Sequence, residues 1–340
     1  MINVLHIINK ISPTSIPVTW ARYQETVDGL SPLVTSVREI TRLYKYVREC
    51  DIVHGHHIKY SLLAVLIAKI LSKPFIFTTH GSFLHLSLTN KLLIMVIYRA
   101  ANQVTFVNNE LYQQLPGACK KIIENKTAVI LNGVDINYSY KYSAVIENFG
   151  IPNNKSIIFH PSRHVHEKNQ IRILEAIEIS LRSNPNIVLV MAGSGPLEDA
   201  LKNKAKALGI YEKVYFLGYI SRNDVYNFLN CCSLYLMPSL SEGLNVSFLE
   251  ALSQRARIVV SDIEQFTYPF RHWNVNPDDY QVTFCNPMDS NSISSAINSS
   301  LLNSTNERCW DLSFIDIKSM IDAYRTVYLR TLSAESHCRR

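Results

Sequence analysis

Glu242 and Glu250 are separated by GLNVSFL, where a polar turn should run into a helix. The surrounding stretch, residues 233–261, begins as a short apolar strand at 234–237. Pro238 closes that strand, because proline cannot donate to a sheet ladder. Gly243 gives the following turn its backbone freedom. The spacing of Leu244, Phe248, Leu249 and Leu252 predicts a helix from about Asn245. A second strand is expected at 257–260. The helix start offers the free N–H groups of Gly243, Leu244 and Asn245 together with a positive dipole end, an arrangement suited to phosphate. A carboxylate just ahead of it can accept hydrogen bonds from hydroxyls attached beside that phosphate. A second carboxylate, two turns on, can accept from a vicinal diol, as acids do with ribose in dinucleotide folds. The competing reading makes Glu242 a helix-start acid and Glu250 a salt-bridged helix position.

The elements that position these groups alternate between strand and helix. Strands are expected at residues 2–8, 51–57, 74–79, 103–107 and 127–131, with helices at 18–30, 36–49, 60–71 and 90–101. Residues 136–154 are polar and irregular and read as a linker. Strands follow at 156–160, 186–192, 214–217 and 281–285, with helices at 167–180, 197–208, 222–230, 290–302 and 315–332. Such alternation implies doubly wound parallel sheets. The suspicious residues all fall at the carboxyl ends of strands, where ligands of open α/β sheets bind: Asn9, the histidines at 54–57, His80-Gly81, Asn132-Gly133, residues 160–163, Gly193-Ser194-Gly195, Gly218 and residues 239–243.

A chain of 340 residues allows two domains. No apolar run is long enough to span a bilayer, and MINVLHIINKIS lacks the plan of a signal peptide, so a cytoplasmic location is expected. The seven cysteines form no C-x-x-C pair, which argues for free thiols. Net charge is +6, and the excess lies in residues 1–150, with 15 Lys+Arg against 9 Asp+Glu, while residues 151–340 carry 19 of each. A basic first half fits an anionic lipid surface or acceptor. No arginine-rich run with interleaved aromatics suggests nucleic acid. In a strand only alternate residues share a face, so His54 and His56 could, but no third ligand is evident. His160, His164 and His166 pose the same problem, and no metal site is expected.

Taken together, the E-x7-E segment, SRHVHEKN (residues 162–169), AGSGPLEDAL, VYFLGYI, DIVHGHH, TTHGS and ILNGVD resemble, in order and spacing, the retaining glycosyltransferases of family four (group 1) over residues 50–270. The resemblance implies an α/β fold of the GT-B type: two doubly wound, Rossmann-like domains facing a cleft. Residues 1–150 would form the acceptor side and 151–315 the nucleotide-sugar donor domain, and a helix at 316–340 would pack back toward the first domain. Arg163 and Lys168 would hold the donor diphosphate, Arg as a planar fork and Lys as a point charge. Glu242 would accept from the donor sugar, and the backbone of Gly243, Leu244 and Asn245 would approach sugar and phosphate. Glu250 would hold the ribose diol. Gly193 and Gly195 would admit the nucleotide, Ile220 would lie where the backbone meets the base, and His80 would stand beside the reacting sugar. The chain departs from the family pattern in its first loop, NKISPTSIPVT, which lacks glycine. Ser162 and Asn169 replace glycines, and Arg255 and Arg257 replace a small residue and proline.

The implied function is retaining, metal-independent transfer of a sugar from a nucleoside-diphosphate sugar to a hydroxyl of a lipid-linked or surface-polysaccharide acceptor of O-antigen or capsule type. No cofactor and no metal are expected, the more so because no D-x-D motif is present. Peripheral contact with the cytoplasmic face of the inner membrane is expected. The alternative is a nucleotide-sugar epimerase on the same architecture. A dinucleotide-dependent oxidoreductase is disfavoured because no G-x-G-x-x-G follows the first strand. A non-catalytic subunit is disfavoured by the four intact charged residues.

Overall fold

The computed structural model describes residues 2–7, 37–136, 148–152, 154–243, 245–302 and 310–338. The glycine-free loop with Asn9 and Thr14, the helix expected at 18–30, most of the linker and Leu244 lie outside the described residues. The chain forms two compact units, Met1–Gly133 with Asp316–Arg340, and Val134–Ile315. The division falls ahead of the expected boundary at 150, because Val134 N–H already bonds the Ile315 carbonyl at 2.8 Å.

In the first unit the elements are β1 (Val4–Ile7), α1 (Val37–Glu49), β2 (Ile52–Gly55), α2 (Ile58–Ile70), β3 (Phe75–Thr79), α3 (Leu88–Ala100), β4 (Gln103–Phe106), α4 (Asn109–Gln113), α5 (Gly117–Ile123) and β5 (Thr127–Val129). The strands pair in parallel in chain order. They read as near-continuous apolar runs because a parallel sheet is covered on both faces. The short α4 and α5 escaped the sequence reading.

The second unit contains β6 (Ser156–Pro161), α6 (Gln170–Ser183), β7 (Ile187–Ala192), α7 (Glu198–Ala207), β8 (Val214–Gly218), α8 (Arg222–Cys231), β9 (Leu234–Met237), α9 (Val246–Ser253), β10 (Ile258–Ser261), α10 (Glu264–Trp273), β11 (Val282–Cys285) and α11 (Ser290–Leu302). Its parallel sheet has the order β11-β10-β9-β6-β7-β8. The helix expected at 167–180 breaks at Asn169, which takes the left-handed conformation at φ 61°. The sequence reading missed α10, whose internal Pro269 reads as a breaker.

The last helix, α12 (Ile317–Cys338), belongs to the first unit. Met320, Tyr324, Val327 and Tyr328 pack on Val4, Ile52, Ile76 and Ile130. Gly133 faces this helix so closely that a Cβ would lie 2.7 Å from the Ile317 Cα.

Candidate functional site

In the second unit the strand order reverses between β6 and β9. Ligands of open α/β sheets bind at such a switch point, beyond the carboxyl ends of the strands. The loops leaving β6 and β9 carry Arg163, Lys168 and Glu242, and they are tied together. Lys168 Nζ donates to Glu242 Oε1 at 2.5 Å, with the two side chains 15% and 9% exposed. Leu240 N–H bonds the Glu167 carbonyl at 2.8 Å. Asn169 Nδ2 donates to the carbonyls of Pro238 and Pro287 at 2.9 and 2.7 Å. Asparagine is among the few side-chain-bearing residues that visit the left-handed region routinely, so Asn169 supplies the backbone that a glycine would and adds an anchor. Ser162 likewise does work that glycine could not. His160 Nδ1 donates to the Leu236 carbonyl and Nε2 accepts from Ser162 Oγ, both at 2.7 Å, and Gln170 Nε2 donates to that oxygen at 2.9 Å. Burial pushes the His160 imidazole down to about 3, so it serves as a neutral bridge.

Gly193 and Gly195 receive a local explanation. A Cβ on Gly193 would sit 2.0 Å from the Ser162 carbonyl oxygen, and one on Gly195 2.3 Å from that of His164. Gly193 also has φ +137°, a conformation that side-chain-bearing residues rarely adopt. The glycines let residues 162–164 run against 193–195, where His164 N–H bonds the Ser194 carbonyl at 2.9 Å. Arg163 is exposed and forms no ion pair among the described residues. Gly218 takes φ +63° and Ile220 beyond it is buried.

Asn245 caps α9, its side chain accepting from Ser247 N–H at 2.9 Å and donating to Glu242 Oε1 at 3.2 Å. Glu250, 7% exposed, meets Arg222 at 3.1 Å and the Tyr226 hydroxyl at 3.2 Å, all on Oε1. Burial raises its pKa, while Arg222 and Tyr226 act against that rise. Both partners were missed by sequence reasoning. Their signal was a cation and an aromatic four apart, one face of a helix, directly after VYFLGYIS.

His80 belongs to the first unit. Together with His56, His57, Tyr60, Thr79 and Asn90 it lines a cavity of about 550 Å³. His56 Nδ1 is 3.0 Å from His80 Nε2, and His6 Nδ1 is 2.9 Å from His56 Nε2. His6 is the neighbour absent from the sequence reading; β1 and β2 pair with His6 opposite His54. One nitrogen each of His6, His54 and His56 lie within 4.8 Å of one another, so these three imidazoles could hold a metal ion. Each His54 nitrogen already has a hydroxyl partner, Tyr328 at 2.8 Å and Thr78 at 2.7 Å. Both His56 nitrogens are engaged as well, so coordination would break existing bonds.

Residues 143–311 match the family model "Glycosyl transferases group 1", and residues 23–138 match "Glycosyltransferase Family 4". The chain belongs to the group 1 glycosyltransferases. Among its relatives is the Escherichia coli UDP-Gal:alpha-D-GlcNAc-diphosphoundecaprenol alpha-1,3-galactosyltransferase, 27% identical over 68% of this chain and 63% of that protein. Another is the Streptococcus pneumoniae alpha-monoglucosyldiacylglycerol synthase, 26% identical over 65% of this chain and 53% of the synthase. The chain thus spans less than two thirds of the length of either. Among solved structures, Anabaena HepE in complex with UDP and glucose superposes with a TM-score of 0.67 at 20% identity, covering 88% of this chain and 82% of that one. A Rickettsia africae glycosyltransferase gives 0.68 at 18%, covering 88% and 83%. These likenesses establish the GT-B fold.

Proposed function

We propose that this chain transfers a sugar from a nucleoside-diphosphate sugar to a hydroxyl of a lipid-linked or surface-polysaccharide acceptor, with retention and without a metal. The observation that carries the reading is the grouping at the β6/β9 switch point. There the loops leaving β6 and β9 join Lys168 to Glu242 beside the capped start of α9, Arg163 stands on the same β6 loop, and Glu250 lies about one turn into α9. In this reading Arg163, the Lys168 ammonium and the α9 N-terminus stabilise the departing diphosphate, an electrostatic strategy. Lys168 has three N–H donors, so it can bridge the leaving phosphate and Glu242 together. Glu242 accepts from sugar hydroxyls. Glu250 meets the ribose, its orientation fixed by Arg222 and Tyr226. The acceptor hydroxyl attacks on the face the diphosphate leaves, and its proton passes to the leaving phosphate oxygen.

The first unit supplies the acceptor side in this reading, with the His80 cavity as the acceptor pocket. A lipid-linked acceptor draws support from the names of the related galactosyltransferase and synthase. Peripheral membrane contact draws support from the outer faces of α2 and α3. Leu88, Leu92 and Val96 form a stripe at four-residue spacing, 77%, 60% and 50% exposed, and Ile70 is 76% exposed. Neither helix contains a carboxylate, and both carry cations, Lys59, Lys69, Lys91 and Arg99. Apolar area with a basic rim suits an anionic bilayer surface. No helix among the described residues is long and apolar enough to cross a membrane. The relatives named above are transferases, so the epimerase reading gains nothing from them. The test is transfer of sugar from a panel of labelled nucleotide sugars to lipid-diphosphate glycans, with the product anomer read by NMR. Retained anomeric configuration in the presence of chelator is expected; an inverted product or abolition by chelator would refute the mechanism.

A further inference from the structure

His6, His56 and His80 form a row of imidazoles joined by two N···N hydrogen bonds, 2.9 Å from His6 Nδ1 to His56 Nε2 and 3.0 Å from His56 Nδ1 to His80 Nε2. Burial pushes His6 and His80 down to about 4, and His56 well below its ordinary value, so each ring carries one proton at neutral pH. A neutral imidazole has one donor and one acceptor nitrogen. Each N···N bond holds one proton. Two of the three protons are therefore inside the row, and the third must sit on an outer nitrogen, either His6 Nε2 or His80 Nδ1.

The two ends are not equivalent. His6 is 1% exposed, and its Nε2 is buried without a hydrogen-bond partner among the described residues. A proton there would be a buried, unpaired N–H, the rarest kind of unsatisfied group. At the other end His80 lines the cavity. Its Nδ1 makes no hydrogen bond among the described residues and, unlike His6 Nε2, does not count among the buried unpaired atoms. Among the described residues, nothing at the His6 end receives a proton passed along the row. His54 lies beside His56, with ring centroids 4.1 Å apart and planes tilted by 32°, but its nitrogens meet Tyr328 and Thr78, and so it does not enter the row.

We propose that His6 and His56 are positioning residues that hold His80 in its Nδ1–H tautomer, so that His80 offers the cavity a hydrogen-bond donor and not a base. The ligand group it meets is then an oxygen that accepts: a sugar hydroxyl lone pair, a ring oxygen or a phosphoryl oxygen. The assignment of that group to an acceptor glycan rests on the function proposed above; the tautomer does not.

The test uses the full chain labelled with ¹⁵N-histidine, near neutral pH. Two-bond ¹H–¹⁵N correlations report which nitrogen of each ring carries the proton, and His6→Phe, His56→Phe and His80→Gln assign the signals. The expected spectrum has Nδ1–H and a bare Nε2 on His80 and on His56. In His56→Phe, His80 loses its Nδ1–H preference and shows a mixture of tautomers. His80 found as Nε2–H in the unsubstituted protein overturns the proposal, as does an unchanged His80 tautomer in folded His56→Phe. A stoichiometric transition metal found on the purified protein by elemental analysis also overturns it, because the metal would claim the lone pairs of the row. The measurement on the unsubstituted protein stands even where a variant fails to fold. It needs neither donor nor acceptor, so its failure is separable from failure of the transferase reading.

Discussion

Replacing Lys168 separates the structural from the chemical role of the Lys168–Glu242 pair. In Lys168→Met the Glu242 carboxylate, 9% exposed, loses a charge-assisted bond of 2.5 Å and keeps, among the described residues, Asn245 Nδ2 at 3.2 Å. Hydrogen bonds to charged groups contribute about 1.5–3 kcal/mol, and a carboxylate left unpaired adds its desolvation cost, so a loss of about 2–3 kcal/mol in stability is expected. Replacing both partners by neutral groups removes the unpaired charge and is nearly neutral in general. Lys168→Met/Glu242→Gln should therefore recover to within about 1 kcal/mol of the parent, with Asn245 now bonded to the carboxamide oxygen. Nucleotide binding behaves oppositely. The single variant should bind nucleoside diphosphate roughly 10- to 100-fold more weakly, and the double variant should recover none of this, because the cation is still missing. Denaturant unfolding and calorimetric titration of the same samples read the two quantities. Equal instability of single and double variants, or recovery of binding in the double, would refute the reasoning.

Gly193→Ala should cost about 3 kcal/mol or more, from strain at φ +137° and a Cβ 2.0 Å from the Ser162 carbonyl; a change under 1 kcal/mol by chemical denaturation contradicts the close approach. Acid should destabilise both units. Burial depresses His6 to about 4 and His160 to about 3 from 6.5. The unfolded chain then binds more protons below pH 6.5, and stability present above that pH is lost as pH falls toward those values, by about 1.4 kcal/mol per unit per histidine. A melting temperature flat from pH 7 to 5 would contradict this. Leu88→Asp/Leu92→Asp should abolish sedimentation with anionic vesicles while leaving the melting temperature within a few degrees; undiminished sedimentation removes α3 from the proposed membrane face.

The parallel strands were legible because fully buried strands are apolar throughout, and the glycines and charges fell at their ends. The carboxylates of E-x7-E were legible as well, since helix periodicity places Glu250 on α9 without further information. Arg222 was not, because its partner Glu250 lies on another helix, and only packing of α8 against α9 brings them together. His6 was hidden for a related reason. The apolar run fixes neither the partner of β1 nor its register, and it is the pairing of His6 with His54 that completes the imidazole row. The departures from glycine at 162 and 169 became intelligible only with hydrogen bonds in hand: Ser162 bridges His160 and Gln170, and Asn169 holds two carbonyls from a left-handed backbone.

The most direct measurement is calorimetric titration of the full chain with UDP, GDP, ADP and TDP, repeated on Arg163→Ala and Glu250→Gln. One nucleoside diphosphate should bind saturably without added metal. Arg163→Ala should weaken it through the diphosphate, and Glu250→Gln should weaken the nucleoside diphosphate but not inorganic diphosphate. Binding of none of the four, or binding unaffected by either substitution, would contradict a donor site at the β6/β9 switch point.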